Sequence, residues 1–405
     1  MTPALKEYFD FKTAIITFAL VFIGIISVYS ATYDAHASEI FQKQVFWAIG
    51  GTLAFGIITL LPFRFLQFIS WPSYFLSVGM LLSVLILGKT VSGSTSWFNM
   101  GAFRLQPSEL TKITTVLALA SYLSRSDVSL QKFKDLATAA GIVMLPVLLI
   151  MLQPDTGTAF IYLGMFFPLL YWGGASKFTL LSVISPIIAA VAALFGTTPF
   201  LVAVCVMGVL LYLTKEHRIV AAIVFSTTVL VGISVQFIYD GLKPYQQKRI
   251  ATFLDPNADP LGAGYNILQS KVAIGSGGLL GKGYLRGTQT QLNFIPEQWT
   301  DFIFCVPGEE FGFLGSATVL LLSMGLLVRG VSLASTVKNK FSSFAALGIT
   351  AVFATHIFLN VGMSLGLMPV IGIPLPFLSY GGSALLANMS MMGILMNLYA
   401  HRKEY

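Results

Sequence analysis

Apolar runs of about twenty residues recur along this chain, each close to the length an α-helix needs to cross ~30 Å of hydrocarbon. Backbone N–H and C=O groups inside lipid must be satisfied within the chain, which restricts such a sequence to a helical bundle or a closed β-barrel. A barrel would show period-2 alternation in segments of about ten residues, and none stands out. Twelve spans are predicted, near 13–30, 45–61, 74–90, 109–124, 138–152, 157–172, 178–195, 199–213, 219–238, 302–328, 342–366 and 381–399. The expected fold is therefore an all-α integral membrane bundle, one polytopic domain over residues 1–405. Composition agrees: 56% of residues are hydrophobic and 10% charged, with a mean hydropathy of +0.80, too few charges to cover a soluble domain of this size.

A net charge of +7 raises the question of nucleic acid. The placement of the charges excludes it, because Lys and Arg gather in short loops between apolar runs. With the N-terminus in the cytoplasm, fourteen fall inside: Lys6, Lys12, Arg64, Arg125, Lys132, Lys134, Lys177, Lys215, Arg218, Arg329, Lys338, Lys340, Arg402 and Lys403. Four (Lys43, Lys89, Arg104 and, at a helix edge, Lys112) fall outside. By the positive-inside rule both termini are then cytoplasmic. The segment 239–301 faces outward as an extracytoplasmic loop, too apolar for disorder, with an interfacial helix expected around 265–274. The first span is too long for a signal-peptide core and is expected to stay as an anchor. Cys205 and Cys305 have neither disulfide nor metal spacing and read as membrane thiols.

Chemistry has few carriers. In the long loop, Lys248-Arg249 precedes Asp255-Pro256-Asn257-Ala258-Asp259-Pro260-Leu261-Gly262-Ala263-Gly264-Tyr265. Proline fixes φ and glycine admits positive φ, so these residues prescribe a rigid turn. A carboxylate held there beside basic residues suits general-base work on an anionic substrate; equally, Asx before Pro is a common turn or cap residue. The stretch Gly275-Ser276-Gly277-Gly278-Leu279-Leu280-Gly281-Lys282-Gly283 fails as a phosphate loop, since Ser276 stands at the first required glycine and Gly283 at the required Ser or Thr. Close backbone approach is the better reading. In Gln106-Pro107-Ser108-Glu109-Leu110-Thr111-Lys112, Pro107 suits a first helical turn, and Glu109 and Lys112 share a face three residues apart. Charges in a span are expensive and should face the bundle interior and pair. Asp155 reads as a helix N-cap. Glu309 and Glu310 fall within the tenth span, and His356 and Asn360, four apart, are expected to hydrogen-bond between helices.

Several stretches together resemble the SEDS family (shape, elongation, division and sporulation), its RodA branch more than FtsW. They are Trp97 through Lys112, Gln153-Pro154-Asp155-Thr156-Gly157-Thr158, Asp259 through Tyr265, Gly275 through Gln291, Thr300 through Phe304, and Gly372-Ile373-Pro374-Leu375-Pro376-Phe377-Leu378-Ser379-Tyr380-Gly381-Gly382-Ser383. They run in the family's order over nearly the whole chain. Two features depart from the pattern. The family has ten spans, so 199–238 reads as an extra transmembrane pair, and Trp299 stands where His often precedes Thr-Asp-Phe. The resemblance implies a peptidoglycan glycosyltransferase of the bacterial inner membrane that polymerises lipid II and releases undecaprenyl pyrophosphate. It implies Asp259 as the catalytic carboxylate and Asp255 as a weaker one. Lys112 and Arg249 become pyrophosphate cations and Glu109 the partner of Lys112, with Lys248, Trp97, Gln106, Ser379 and Tyr380 as further substrate contacts. A class B penicillin-binding protein and other membrane proteins of the elongation complex are the implied partners. A divalent cation (Mg or Mn) could assist the pyrophosphate, though no ligand cluster demands one. A lipid II flippase and a non-catalytic cell-wall scaffold are the alternatives. The clustering of unusual residues at the outer ends of spans favours the enzyme over a path through the membrane.

Overall fold

The structure, a computed structural model, describes residues 8–34, 37–91, 94–101, 103–242, 244–255, 264–292, 294–296 and 298–404. Helices stand at all twelve predicted stretches: α1 (Phe11–Tyr33), α2 (Ser38–Leu60), α3 (Phe63–Leu87), α4 (Pro107–Leu123), α5 (Phe133–Leu152), α6 (Thr156–Trp172), α7 (Lys177–Leu194), α8 (Thr197–Leu213), α9 (Arg218–Gly241), and, after the long loop, three more. The loop itself contributes α10 (Pro244–Leu254), the expected α11 (Tyr265–Ser276) and a single turn, α12 (Thr288–Gln291). Then follow α13 (Cys305–Glu310), α14 (Gly312–Thr336), α15 (Lys340–Ser364) and α16 (Gly382–Ala400). Among the described residues, nine helices are long and apolar enough to cross a membrane; α6 and α8 are shorter apolar helices. In α4 the apolar pattern is interrupted by Glu109 and Lys112, both buried.

Local chemistry sets several boundaries. Asp10 caps α1 by accepting from the Thr13 N–H at 3.3 Å, and Asp155 caps α6 by accepting from the Thr158 N–H at 3.1 Å. Asn339 caps α15, accepting from the N–H groups of Phe341 and Ser342. Pro107 occupies the first turn of α4, where its missing N–H costs nothing. Helices α4, α15 and α16 form the buried centre, with α6 and α14 packed on α15 and α2 on α16. Helices α7 to α9, which contain the predicted extra pair, pack mainly on one another at the periphery.

The helical bundle is as expected, with two features beyond it. The first is a small sheet: β1 (Lys89–Val91), β2 (Ser94–Met100) and β3 (Phe103–Leu105) pair antiparallel in the order β1-β2-β3, with Asn99 opposite Arg104. Paired strands satisfy their backbone between themselves, so a segment too short to recross the bilayer can still cap the bundle's end. The Thr95 N–H and the Ser94 hydroxyl tie it to the carbonyl of Gln153.

The second corrects the continuous span 302–328. The chain breaks between α13 and α14, where Gly312 takes φ +64°, and a Cβ there would lie 2.4 Å from the Gly281 nitrogen. The glycine-rich segment packs against this break. The N–H groups of Lys282 and Gly283 donate to the carbonyls of Glu309 and Glu310, both at 3.0 Å, and the Phe313 N–H donates to the Gly278 carbonyl at 2.8 Å. Close backbone approach is thus what those glycines permit. Glu309 and Glu310 consequently precede the span rather than lying inside it.

Candidate active site

A cleft of about 910 Å³ opens at the end of the bundle where β2, the start of α4, the start of α6 and the 370–384 segment meet. Its walls come from motif stretches remote in sequence: Trp97 and Asn99 from the sheet, Gln106 and Glu109 from α4, Asp155 and Gly157 from α6, Trp299 and Asp301 before α13, and Gly372, Tyr380 and Gly381. Lys43 and Trp47 of α2 and Arg104 of β3 complete it. A mostly pre-formed concavity mixing aromatic walls with few polar groups is the usual form of a ligand site.

Below its floor lies a buried polar triad. Lys112 is 0% exposed, and its ammonium lies 2.9 Å from Glu109 and 2.8 Å from Nε2 of His356 on α15. The expected Glu109–Lys112 pair is therefore present, one turn apart on α4. A buried charge without such partners would be far too costly, since removing one member strands the other. Glu109 and His356 themselves reach the cleft, whereas Lys112 stands behind them. Asp155 also serves two neighbours, accepting from the Thr158 hydroxyl at 2.9 Å and from the Gln106 amide at 3.0 Å. Its capping role is thus joined to the floor of the cleft.

The wall formed by 370–384 is held directly to two consecutive carbonyls and, through Asn360 of α15, which also donates to Ile373, to a third. The Tyr380 N–H donates to Trp299 at 2.8 Å, the Ser379 hydroxyl to Thr300 at 2.6 Å, and the Asn360 amide to Asp301 at 2.9 Å. Ser379 Oγ also accepts from the Leu375 N–H at 2.7 Å. Ser379 therefore braces the wall, and Tyr380 beside it faces the cleft.

Of the residues singled out in the sequence, Trp97, Gln106, Glu109, Asp155 and Tyr380 meet in the cleft. Lys248 and Asp255 lie on and just after α10, both exposed, and are not among the described residues lining it. Asp259 and the side chain of Arg249 lie outside the described residues. The structure adds Lys43, Trp47, Arg104, Asn266 and Asp301, and brings His356, expected only to hydrogen-bond between helices, to the same cleft. A signal for Arg104 and Asp301 was present, as both lie within or beside the motif stretches. Nothing local marked Lys43, which looks like an ordinary helix-edge cation and pairs with Glu39 at 3.4 Å. Among the described residues no group of three or more His, Cys, Asp or Glu is arranged to hold a metal. The carboxylates of Glu109 and Asp155 are engaged by neighbours, Glu109 by Lys112 and Asp155 by Thr158 and Gln106.

A second polar knot lies beside α1. Glu309 accepts from Lys282 at 2.7 Å and from the N–H groups of Gln289 and Thr290, both at 2.9 Å. Burial pulls its carboxyl upward, yet these donors hold it below the usual range. Glu310 goes the other way: burial pushes it up despite bonds from Ser30, Gln291 and the Leu285 N–H. Cys305, buried and beside Ser270, has its thiol pushed up to about 12, chiefly by burial, and is inert as a nucleophile.

Comparison with known proteins places these observations in a context. The family model of FtsW, RodA and SpoVE, described as cell cycle protein, matches residues 9–198 and 184–404. The chain is 34% identical to the peptidoglycan glycosyltransferase RodA of Treponema pallidum, over 97% of this chain and 98% of that one. It is 33% identical to the peptidoglycan glycosyltransferase MrdB of Escherichia coli, over 99% and 97%, and 34% identical to stage V sporulation protein E of Bacillus subtilis, over 96% of each. A chain solved in work on structural coordination of polymerization and crosslinking by a peptidoglycan synthase complex superposes with a TM-score of 0.75 at 27% identity, covering 98% of this chain and 99% of that one. The rod shape determining protein RodA of Thermus thermophilus shares the fold, with a TM-score of 0.66 at 23% identity, covering 98% of each chain.

Proposed function

The chain belongs to the FtsW/RodA/SpoVE family of cell cycle proteins, and on that premise we propose that it is a peptidoglycan glycosyltransferase polymerising lipid II during cell elongation. The observation that carries this reading is the cleft of about 910 Å³, whose walls draw together Trp97, Gln106, Glu109, Asp155, Asp301 and Tyr380 from separate motif stretches. In the proposed orientation both termini are cytoplasmic, the protein crosses the bacterial inner membrane many times, and the cleft and residues 239–301 face outward.

The reaction joins the 4-hydroxyl of one GlcNAc to C1 of a lipid-linked MurNAc, inverting that carbon and releasing undecaprenyl pyrophosphate. A base must take the hydroxyl proton as the new bond forms, and we assign it to Asp259, with Asp255 as the weaker candidate. The leaving group is an anion already, so cations rather than a strong acid are required. Lys112 supplies positive charge from beneath the floor, fixed in advance so that no reorganisation is needed as charge develops. Arg104 and Lys43 supply it from the walls, and Lys248 and Arg249 belong to the same loop as Asp259. The aromatic walls Trp97 and Tyr380 suit sugar faces, and the Gln106 amide, held by Asp155, suits a hydroxyl or acetamido group.

The partner proposed is a class B penicillin-binding protein, its anchor helix packed along 302–328 and 342–366, the stretches that flank the cleft. A purified-protein assay with lipid II tests the reading. Wild type should yield glycan polymer and Asp259→Asn should lose about a hundredfold or more of it. Polymer of normal length from Asp259→Asn would remove Asp259 from the role of base. Protein-dependent lipid II flipping in vesicles without any polymer would replace the enzyme by a transporter.

A further inference from the structure

The groups around Lys112 determine the state of one more residue. Nδ1 of His356 lies 3.1 Å from the carbonyl oxygen of Pro374, which can only accept, so Nδ1 carries a proton. Nε2 of the same ring lies 2.8 Å from Nζ of Lys112, a group that can only donate. The imidazole is thus the neutral tautomer, protonated on Nδ1, with its Nε2 lone pair directed at the ammonium. His356 is 2% exposed, and Pro374 belongs to the cleft wall. One turn along α15, the Asn360 amide donates to the carbonyl of Ile373 at 2.7 Å. The two neighbouring carbonyls of that wall are therefore both tied to one face of α15.

We infer that His356 is a positioning residue of the transferase, accepting from Lys112 and donating to Pro374 so that the buried ammonium and the Gly372–Pro376 wall share one register. This rests on the proposed glycosyl transfer only for its catalytic consequence. The contact itself stands on geometry. Glu109 neutralises Lys112, but on one side, and a carboxylate three residues away on the same helix cannot relate α4 to α15. His356 does so, and it meets Lys112 without adding a second negative charge, which would weaken the cation's effect on an anionic leaving group. Glutamine can reproduce both bonds, through its carbonyl oxygen and its amide N–H, whereas leucine reproduces only the volume.

The test compares full-length wild type, His356→Gln, His356→Leu, Lys112→Met and the double variant His356→Leu/Lys112→Met with lipid II, and records thermal midpoints of each. His356→Leu should lower kcat by roughly tenfold to a hundredfold at nearly unchanged KM, while His356→Gln stays within about threefold of wild type. The double variant should be no slower than Lys112→Met alone, because the imidazole acts through that ammonium. Wild-type kcat in His356→Leu, a Gln variant no better than Leu, or additive losses in the double variant would each overturn the inference. If His356→Leu does not fold, His356→Asn, polar but too short for both partners, replaces it with the same expectation. If wild type makes no polymer, the transferase reading fails. The midpoints then judge the contact alone: non-additive shifts uphold it and additive shifts overturn it.

Discussion

Helices α15 and α16 bury 72% of their most apolar windows inside the protein, while α7 and α9 bury 11%. The chemistry follows that division. Around α15, polar side chains link helices and loops to one another: Lys112 to His356, Asn360 to Asp301 and Ile373, Trp172 to Ser343. Among the described residues of α7 to α9, one buried pair crosses between helices, Ser185 with Thr228 at 2.9 Å. Several other hydroxyls there, such as Ser182 and Thr227, return to carbonyls one turn back on their own helix. A charge at the centre of a bilayer costs roughly 2.5–3.5 kcal/mol on insertion scales, and more where nothing pairs with it. Buried protein supplies the partners; lipid does not. The densely packed half can therefore hold a cleft with ionised groups, and the peripheral half can hold little but apolar surface.

Breaking this contrast should produce effects of very different size. The largest is expected at Lys112. Lys112→Met leaves Glu109 buried without its cation and should cost about 3–5 kcal/mol of stability, with polymerisation falling by about a hundredfold or more; midpoints and lipid II turnover measure both.

An intermediate effect is expected at the knot beside α1. Glu309 is held below 4.5 by its donors against burial, so its contribution is complete at neutral pH and is lost only as pH falls through that lowered value. Glu310, raised above 4.5 by burial first and by neighbouring Glu309 last, costs stability at neutral pH, and that cost fades as pH falls through its raised value. Glu309→Gln should accordingly lower the thermal midpoint at pH 7 by about 1–3 kcal/mol equivalent. Glu310→Gln should leave it unchanged or raise it, and the gap between the two variants should narrow on acidification. Equal losses at pH 7 would show that the two carboxyls share one environment.

The smallest effect belongs to the periphery. Ser185→Ala should cost about 0.6 kcal/mol, the typical size of an interhelical hydrogen bond in membranes, and leave polymerisation untouched. A large loss of polymer there would mean that α7 to α9 reach the reaction after all.

The order and approximate positions of the helices were legible in the chain because a bilayer makes apolar length the dominant signal, although the stretch 302–328 is broken and 74–90 ends in a strand. The Glu109–Lys112 pair and the capping by Asp155 were legible for the same kind of reason, since spacing of three along a helix and an aspartate before its first turn are local facts. Tertiary structure alone decided the rest. The break at Gly312 depends on how near the segment at Gly281 passes, and the sheet of 89–105 depends on where Gln153 offers a carbonyl. Ser379 braces Thr300 rather than facing the cleft because of a partner seventy-nine positions away. His356 meets Lys112 across a separation of 244. Periodicity records which face of a helix avoids lipid, but it cannot name the neighbour that face will meet, because that is settled by packing of the whole bundle.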